Sequence, residues 1–243
     1  MTRTRIKICG LTREQDVDAA VAAGVDAVGF VLYEQSARYV NPLRAAELAA
    51  RLPPFITPVL LFVNATAIEV IASCALIAGA TVQFHGDETS GLCREAAQKC
   101  AKPYIRAARI PVQSESPNAP LDFDLVKYAE DYKHAQAILL DAHVEGFGGG
   151  GKTFNWSLLP PSVNAHLVLS GGLTPANVGE GILQVRPRGK TLAVDVSSGV
   201  EISKGIKSPE LIGQFVAAVR AADLFIANQL AEKAFEHVRV PTT

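Results

Sequence analysis

Five side chains able to move a proton or hold a charge stand where short β-branched runs give way to loops: Cys9 after RIKI, Arg38 in SARYV, His85 after VQF, Asp141 after AILL and Asp195 in LAVDV. A thiol and a carboxyl in one pocket supply a base and an acid, the minimum for shifting a proton between neighbouring atoms of a substrate. An imidazole adds a second acid or a substrate contact, and an arginine fork can grip a carboxylate through two parallel hydrogen bonds. Cys9 is followed by Gly10 and then by Thr12, a residue type that caps helix N-termini. Its thiol is therefore expected beside helix-terminal N–H groups, which lower a thiol pKa from its usual value of about 8.5. Lys7 precedes Cys9 by two residues and shares its strand face; an ammonium buried there needs an anion, and Asp195 is the expected partner. A core thiol or a structural ion pair would leave the same mark at any one of these positions. Their joint arrival at strand ends is what points to a site.

The second half of the chain adds anion-binding chemistry in GFGGGGK at 146–152, SGGLTP at 170–175 and DVSSGV at 195–200. Glycines let backbone N–H groups approach a ligand closely, and a helix N-terminus after such a turn favours negative charge, so these segments suit a phosphate. The run Gly148–Gly151 reads differently, as a flexible lid over the site.

Bringing these residues to one rim requires a repeating scaffold, and the hydrophobic pattern supplies one. RIKIC is followed by REQDVDAAVAAG, AVGFVLY by PLRAAELAARL, TPVLLFVN by AIEVIASCALIAG, and TVQFHG by SGLCREAAQKC. YIRAARI then precedes DFDLVKYAEDY, AILLD precedes the glycine-rich loop and NWSLL, HLVLSGG precedes TPANVGEGILQV, and LAVDVSSGV precedes SPELIGQFVAAVRAA. Strands alternating with helices imply a parallel sheet. Eight such units in 243 residues fit an α/β fold, a single (β/α)8 TIM barrel whose site lies beyond the C-terminal ends of the strands. An open doubly wound sheet fits less well, because no G-x-G-x-x-G follows the first strand. The barrel is assigned to residues 1–222 and a C-terminal helical extension and tail to 223–243, with no chemistry given to the latter.

Composition narrows the partners. At 49% hydrophobic residues the chain has ample material for one large core. Lys plus Arg (23) nearly cancels Asp plus Glu (24), and no basic run carries interleaved aromatics, which argues against nucleic acid and for a small molecule. No stretch approaches the roughly eighteen apolar residues that span a bilayer, and the charged start runs directly into a strand, so a soluble, cytoplasmic protein is expected. Cys9, Cys74, Cys93 and Cys100 form no C-x-x-C pair and stand beside no histidine at zinc-ligand spacing, so no metal is expected.

The motifs KICGLT (7–12), DAVGFVLY with SARYV (26–40), FVN (62–64), VQFHG (82–86), LLD (139–141), GGGGKTFNW (148–156), LSGGLTPANV (169–178) and VDVSSGVE (194–201) together resemble the phosphoribosylanthranilate isomerase family over residues 5 to 222. The resemblance implies an isomerase of tryptophan biosynthesis. Its substrate is a phosphosugar, N-(5-phosphoribosyl)anthranilate, which it converts to 1-(2-carboxyphenylamino)-1-deoxyribulose 5-phosphate with no cofactor. By the family's motifs, Cys9 is the general base and Asp141 the general acid. Arg38 meets the anthranilate carboxylate, and Gly171, Gly172, Ser198 and Gly199 grip the phosphate. His85 and Asp195 join them as substrate-binding residues, and a monomer or weak homodimer is expected. Asn155, Gly150 and Phe84 depart from the family's commonest pattern (T-F-D-W, a serine and Q-L-H-G), which touches the lid and the site wall but neither the acid nor the base. A sister isomerase of histidine biosynthesis would carry aspartate in place of Cys9, and a non-catalytic phosphosugar-binding barrel would need neither Cys9 nor Asp141.

Overall fold

The computed structural model of the chain describes residues 3–111, 123–143 and 153–238. Eight parallel strands close on themselves in chain order: β1 (Arg5–Cys9), β2 (Ala27–Val31), β3 (Thr57–Phe62), β4 (Thr81–Phe84), β5 (Tyr104–Pro111), β6 (Ala137–His143), β7 (Leu167–Leu169) and β8 (Leu192–Val196). Closure places Lys7 opposite Ala27 on one side and Asp195 on the other. The covering helices are α1 (Glu14–Ala22), α2 (Pro42–Ala49), α3 (Ala67–Ala75), α4 (Ser90–Lys99), α5 (Leu125–Asp131), α6 (Val178–Val185) and α7 (Pro209–Val238). The barrel expected from the alternating pattern is the fold observed.

Parallel barrel strands are covered on both faces, so each reads as an apolar run whose alternate residues serve different cores. Ile6 and Ile8 join the large core between strands and helices, with Phe30, Leu60 and Phe84. Cys9 belongs instead to an inner cluster with Val31, Leu61 and Val63, and a second inner cluster of Ala107, Leu139 and Val168 is built on β5, β6 and β7. Each fully buried aliphatic side chain contributes about 1.5–3 kcal/mol. Polar side chains also point inward: Lys7, Gln83, His85, Asp141, Ser170 and Asp195 are all buried.

Local signals set the helix starts. The Asn41 side chain accepts from the Arg44 N–H, with Pro42 opening α2; Thr66 and Glu69 form a reciprocal capping box on α3; Thr89 and Asp124 cap α4 and α5. Each such cap contributes about 1 kcal/mol. Three expectations are corrected. The N-cap of α1 is Arg13, without a side-chain cap bond, because the Thr12 hydroxyl donates to the Gly205 carbonyl (2.9 Å) and ties the β1–α1 loop to a distant turn. Among its described residues the sixth unit has a 3-10 turn, Trp156–Leu158, where a helix was expected: Pro160 and Pro161 follow at once and cannot donate the backbone bonds that would extend it. The β8–α7 connection holds a short hairpin, β9 (Glu201–Ser203) with β10 (Ile206–Lys207), that sequence patterning missed.

The last helix runs without a break across the boundary drawn at residue 222. Asp223 accepts from the backbone N–H and hydroxyl of Thr4 and from Arg186, which fastens α7 to the start of β1. Beyond it Leu224, Phe225 and Leu230 are exposed. Among the described residues no helix is long and apolar enough to cross a membrane.

Candidate active site

Strand alternation brings Lys7, Cys9, Gln83, His85, Asp141, Ser170 and Asp195 into the barrel interior at or near the C-terminal ends of their strands, where a (β/α)8 barrel carries its chemistry. Two polar assemblies form there, with Cys9 in one and Asp141 in the other.

On the β1 side, the Lys7 ammonium donates to Asp195 at 2.8 Å with both side chains 6% exposed, as the sequence predicted. Ser170 Oγ donates to the other Asp195 oxygen at 3.2 Å. Burial works against the Lys7 charge, but Asp195 and Cys9 outweigh it and hold the ammonium above its ordinary pKa. Asp195 thus serves as an ion-pair partner within the wall. The room for this group comes from Gly29 on β2: a Cβ there would lie 2.7 Å from Cys9 Sγ and 3.1 Å from Lys7 Cε. The Cys9 thiol itself departs from expectation. Burial raises its pKa, and the nearby Lys7 charge offsets this only in part. The expected lowering relied on a helix N-terminus that Cys9 does not adjoin.

Arg38 lies over Gly10, whose left-handed backbone (φ +77) leaves no room for a side chain against Arg38 Cδ. Its fork is engaged by the protein's own carboxylate: Nε and Nη2 donate to Glu201 at 2.7 and 2.8 Å. Glu201 also accepts from the fully buried Lys207 ammonium at 2.8 Å, and Lys207 donates to the Ser197 carbonyl and hydroxyl. Burial would raise the Glu201 carboxyl, yet Arg38 and Lys207 outweigh it and hold it below the usual range. Burial pulls Lys207 below the ordinary lysine value, with Glu201 opposing. Two cations around one anion leave this cluster with a net positive charge, and the Arg38 Nη1 makes no hydrogen bond to any described residue.

On the β6 side, Asp141 Oδ2 meets His85 Nε2 at 2.9 Å, and His85 Nδ1 meets Gln83 Nε2 at 2.9 Å. His85 is held by a frame outside the barrel wall. Arg106 on β5 donates to the Phe84 carbonyl (3.1 Å), to the Gly86 carbonyl (2.9 Å) and to Glu88 (2.9 Å), while Glu88 accepts from the N–H groups of Gly86 and Asn64. The Arg106 guanidinium carbon stands 4.9 Å from the Tyr132 ring centroid, a cation–π contact that completes the brace. Gln83, Glu88, Arg106, Glu201 and Lys207 all escaped sequence reading. The only available signal was a charged or amide residue inside an apolar run, as in TVQF and YIRAARI.

The late glycine turns meet at the same rim. Gly171 and Gly172 have φ of +77 and +63, and a Cβ on Gly171 would collide with the Ala142 backbone and come within 2.9 Å of Asp141 Oδ1. Gly199 lies against the Leu173 carbonyl so closely that no side chain fits. The backbone N–H groups of Gly171, Gly172, Ser198 and Gly199 have no acceptor among the described residues. The segment 146–152, expected as a lid, falls outside the described residues. Among the described residues no three His, Cys, Asp or Glu side chains gather as a metal site requires.

Fold and rim together define a closed (β/α)8 barrel that gathers titratable side chains and glycine-rich turns at one mouth. The sequence model of N-(5'-phosphoribosyl)anthranilate (PRA) isomerase matches residues 6–218, and the chain belongs to that family. It is 57% identical over 225 residues to N-(5'-phosphoribosyl)anthranilate isomerase of Methylibium petroleiphilum, covering 93% of this chain and 98% of the relative. A phosphoribosylanthranilate isomerase crystallised with reduced 1-(o-carboxyphenylamino)-1-deoxyribulose 5-phosphate superposes with a TM-score of 0.72 at 36% identity, covering 90% of this chain and 99% of the other. A monomeric form of the dimeric enzyme from Thermotoga maritima gives 0.71 at 34% identity, covering 89% and 98%.

Proposed function

We propose that this chain carries out the family's Amadori rearrangement at the rim just described, with Asp141 as acid and Cys9 as base. Asp141 gives its proton to the ribose ring oxygen of N-(5'-phosphoribosyl)anthranilate. The C1–O bond breaks and the anilino nitrogen supplies the electron pair, forming an iminium. Cys9 then removes the C2 proton, and the resulting enolamine tautomerises to the ketone. The net positive cluster of Arg38, Glu201 and Lys207 receives the anthranilate carboxylate through the free edge of Arg38. Unpaired N–H groups of Gly171, Gly172, Ser198 and Gly199 receive the phosphate and hold that end while the sugar opens.

The observation that supports this reading best is the pairing of Asp141 with His85 on one side of the barrel mouth and of Cys9 with Lys7 on the other. It separates an enzyme from a barrel that only binds. Fluorescence loss from freshly made phosphoribosylanthranilate tests it. Cys9→Ala and Asp141→Asn are each expected to lower turnover by about a hundredfold or more while leaving product-analogue binding nearly unchanged. Wild-type turnover in either variant removes that residue from the mechanism.

The chain's surroundings follow from other features. We assign catalysis to residues 1–222 and treat 223–243 as an extension. Four free cysteines, three of them buried, suit a reducing cytoplasm. Self-association is inferred at the N-terminal end of the barrel, where Phe55 is 99% exposed beside a cavity of about 540 Å³ lined by Val59, Ile105 and Val168. A second copy presenting its own Phe55 to that cavity satisfies two-fold symmetry.

A further inference from the structure

The acid Asp141 is one end of a buried chain, Asp141–His85–Gln83, whose far end is unfinished. Gln83 is 0% exposed and its Nε2 faces His85 Nδ1, while its Oε1 has no hydrogen-bond partner. A buried amide oxygen without a partner costs about 1–3 kcal/mol, so its retention calls for a reason. With the Gln83 amide donating, His85 Nδ1 accepts, so the single imidazole proton lies on Nε2 and is donated to Asp141. In that arrangement the proton shared by the pair belongs to His85. The pair can donate through Asp141 when it carries one more proton. Where the imidazole holds that proton it is Nδ1–H, and Nδ1–H requires an acceptor.

We propose that Gln83 is a positioning residue that lets the His85–Asp141 pair exist in both proton states by turning its amide end for end. In the charged form Oε1 accepts from Nδ1–H, and the pair holds two protons between Nδ1, Nε2 and the carboxyl. Asp141 delivers one to the ring oxygen. The proton left on Nδ1 is released to water as another is taken up at Nε2, facing the carboxylate, and the amide turns to donate to Nδ1. Because the amide has the same shape either way and leaves one end unpartnered in both, neither orientation is favoured by Gln83 itself. The proton on His85 decides. This inference rests on Asp141 being the acid.

The charged groups around the pair have partners of their own. Arg106 is matched by Glu88 behind β4, Lys7 by Asp195 across the mouth, and Asp87 lies 3.9 Å from Arg109, the register partner of Asp141 on β5. From β7 the pair meets the uncharged Gly171, and Cys9 belongs to the β1 side.

The test is the pH dependence of kcat in wild type, Gln83→Glu and Gln83→Met. A carboxylate at 83 can only accept, so Gln83→Glu is expected to move the basic limb of the acid upward by about 1–3 pH units. Gln83→Met serves neither state and is expected to lower kcat by about ten- to a hundredfold with KM little changed. In wild type, the ¹⁵N resonance of His85 Nδ1 is expected to pass from acceptor to donor type over the pH range of that limb, with the Gln83 amide signals moving together with it. An unmoved limb in Gln83→Glu, wild-type kcat in Gln83→Met, or an Nδ1 that stays unprotonated where turnover is maximal overturns the proposal. Should Gln83→Glu fail to fold, the wild-type resonances decide alone. Full activity in Asp141→Asn would instead remove the acid itself, a failure distinct from this one.

Discussion

Replacing Glu201 with Gln isolates the ion cluster on which Arg38 depends. The carboxylate is 5% exposed and accepts two hydrogen bonds from Arg38 and one from Lys207, so its neutral amide leaves two buried or nearly buried cations facing each other. Removing one partner of a buried charge pair costs about 3–5 kcal/mol. For 243 residues the unfolding entropy is about 0.5 kcal/mol/K, so the melting temperature is expected to fall by about 6–10 °C. The deficit should depend on pH with a definite sign. Glu201 has a folded pKa below its unfolded value, so its contribution is complete above the ordinary glutamate pKa of about 4.3 and is lost as the pH falls through the lower folded value. Wild-type and Glu201→Gln melts should therefore converge on acidification below that range. Adding Lys207→Met removes one stranded cation and should restore part of the loss. Calorimetry across pH 3 to 8 measures all three effects. A shift under one degree, a gap that does not narrow in acid, or strict additivity of the two substitutions would show that the cluster is not the electrostatic unit described.

The remaining expectations address the base, the phosphate edge and self-association. Because the Cys9 pKa is raised, iodoacetamide should alkylate it slowly at pH 7 and faster as the pH climbs past 9, and Lys7→Met should slow it further; rapid labelling at neutral pH, read by mass spectrometry, would contradict the burial argument. Gly199→Ala should cost about 1–3 kcal/mol by overlap with the Leu173 carbonyl and abolish the stabilisation that a product analogue gives wild type, about 2.7 kcal/mol at a hundred times its Kd; an unchanged analogue shift in thermal melts returns the turn to a structural role. If two copies pair through Phe55, Phe55→Glu should halve the mass seen by light scattering while sparing turnover, and a mass unchanged by the substitution refutes that pairing.

What the sequence disclosed, and what it hid, follows from the range of the forces involved. Short β-branched runs and the alanine-rich stretches between them are patterns of a few residues, so the eight strands could be read locally. The stop after the 3-10 turn at Trp156–Leu158 was also locally encoded, in Pro160 and Pro161, but the polar NWSLL before them mimicked a helix start. Thr12 failed as a cap for the opposite reason: its hydroxyl found an acceptor 193 residues away at Gly205, which no window of neighbours contains.

The site divides along the same line. Cys9, His85 and Asp141 announced themselves because a reactive side chain at a strand end is conspicuous, and barrel topology gathers strand ends without further information. Their electrostatic state was not announced, since it belongs to partners recruited across the fold: Glu201 reaches Arg38 over 163 residues, and Lys7 reaches Asp195 over 188. That is why the sequence could point to Cys9 and Asp141 as candidates while mistaking the direction of the Cys9 pKa. A thiol inside a closed barrel loses water on every side, and one shared ammonium restores only part of that solvation. If Cys9 is the base, it must therefore be completed by what else enters the pocket. A substrate that draws Lys7 away from Asp195 and toward the thiol would lower the Cys9 pKa only in the loaded enzyme, which places the control of the base in the same two-partner ammonium that holds the wall together.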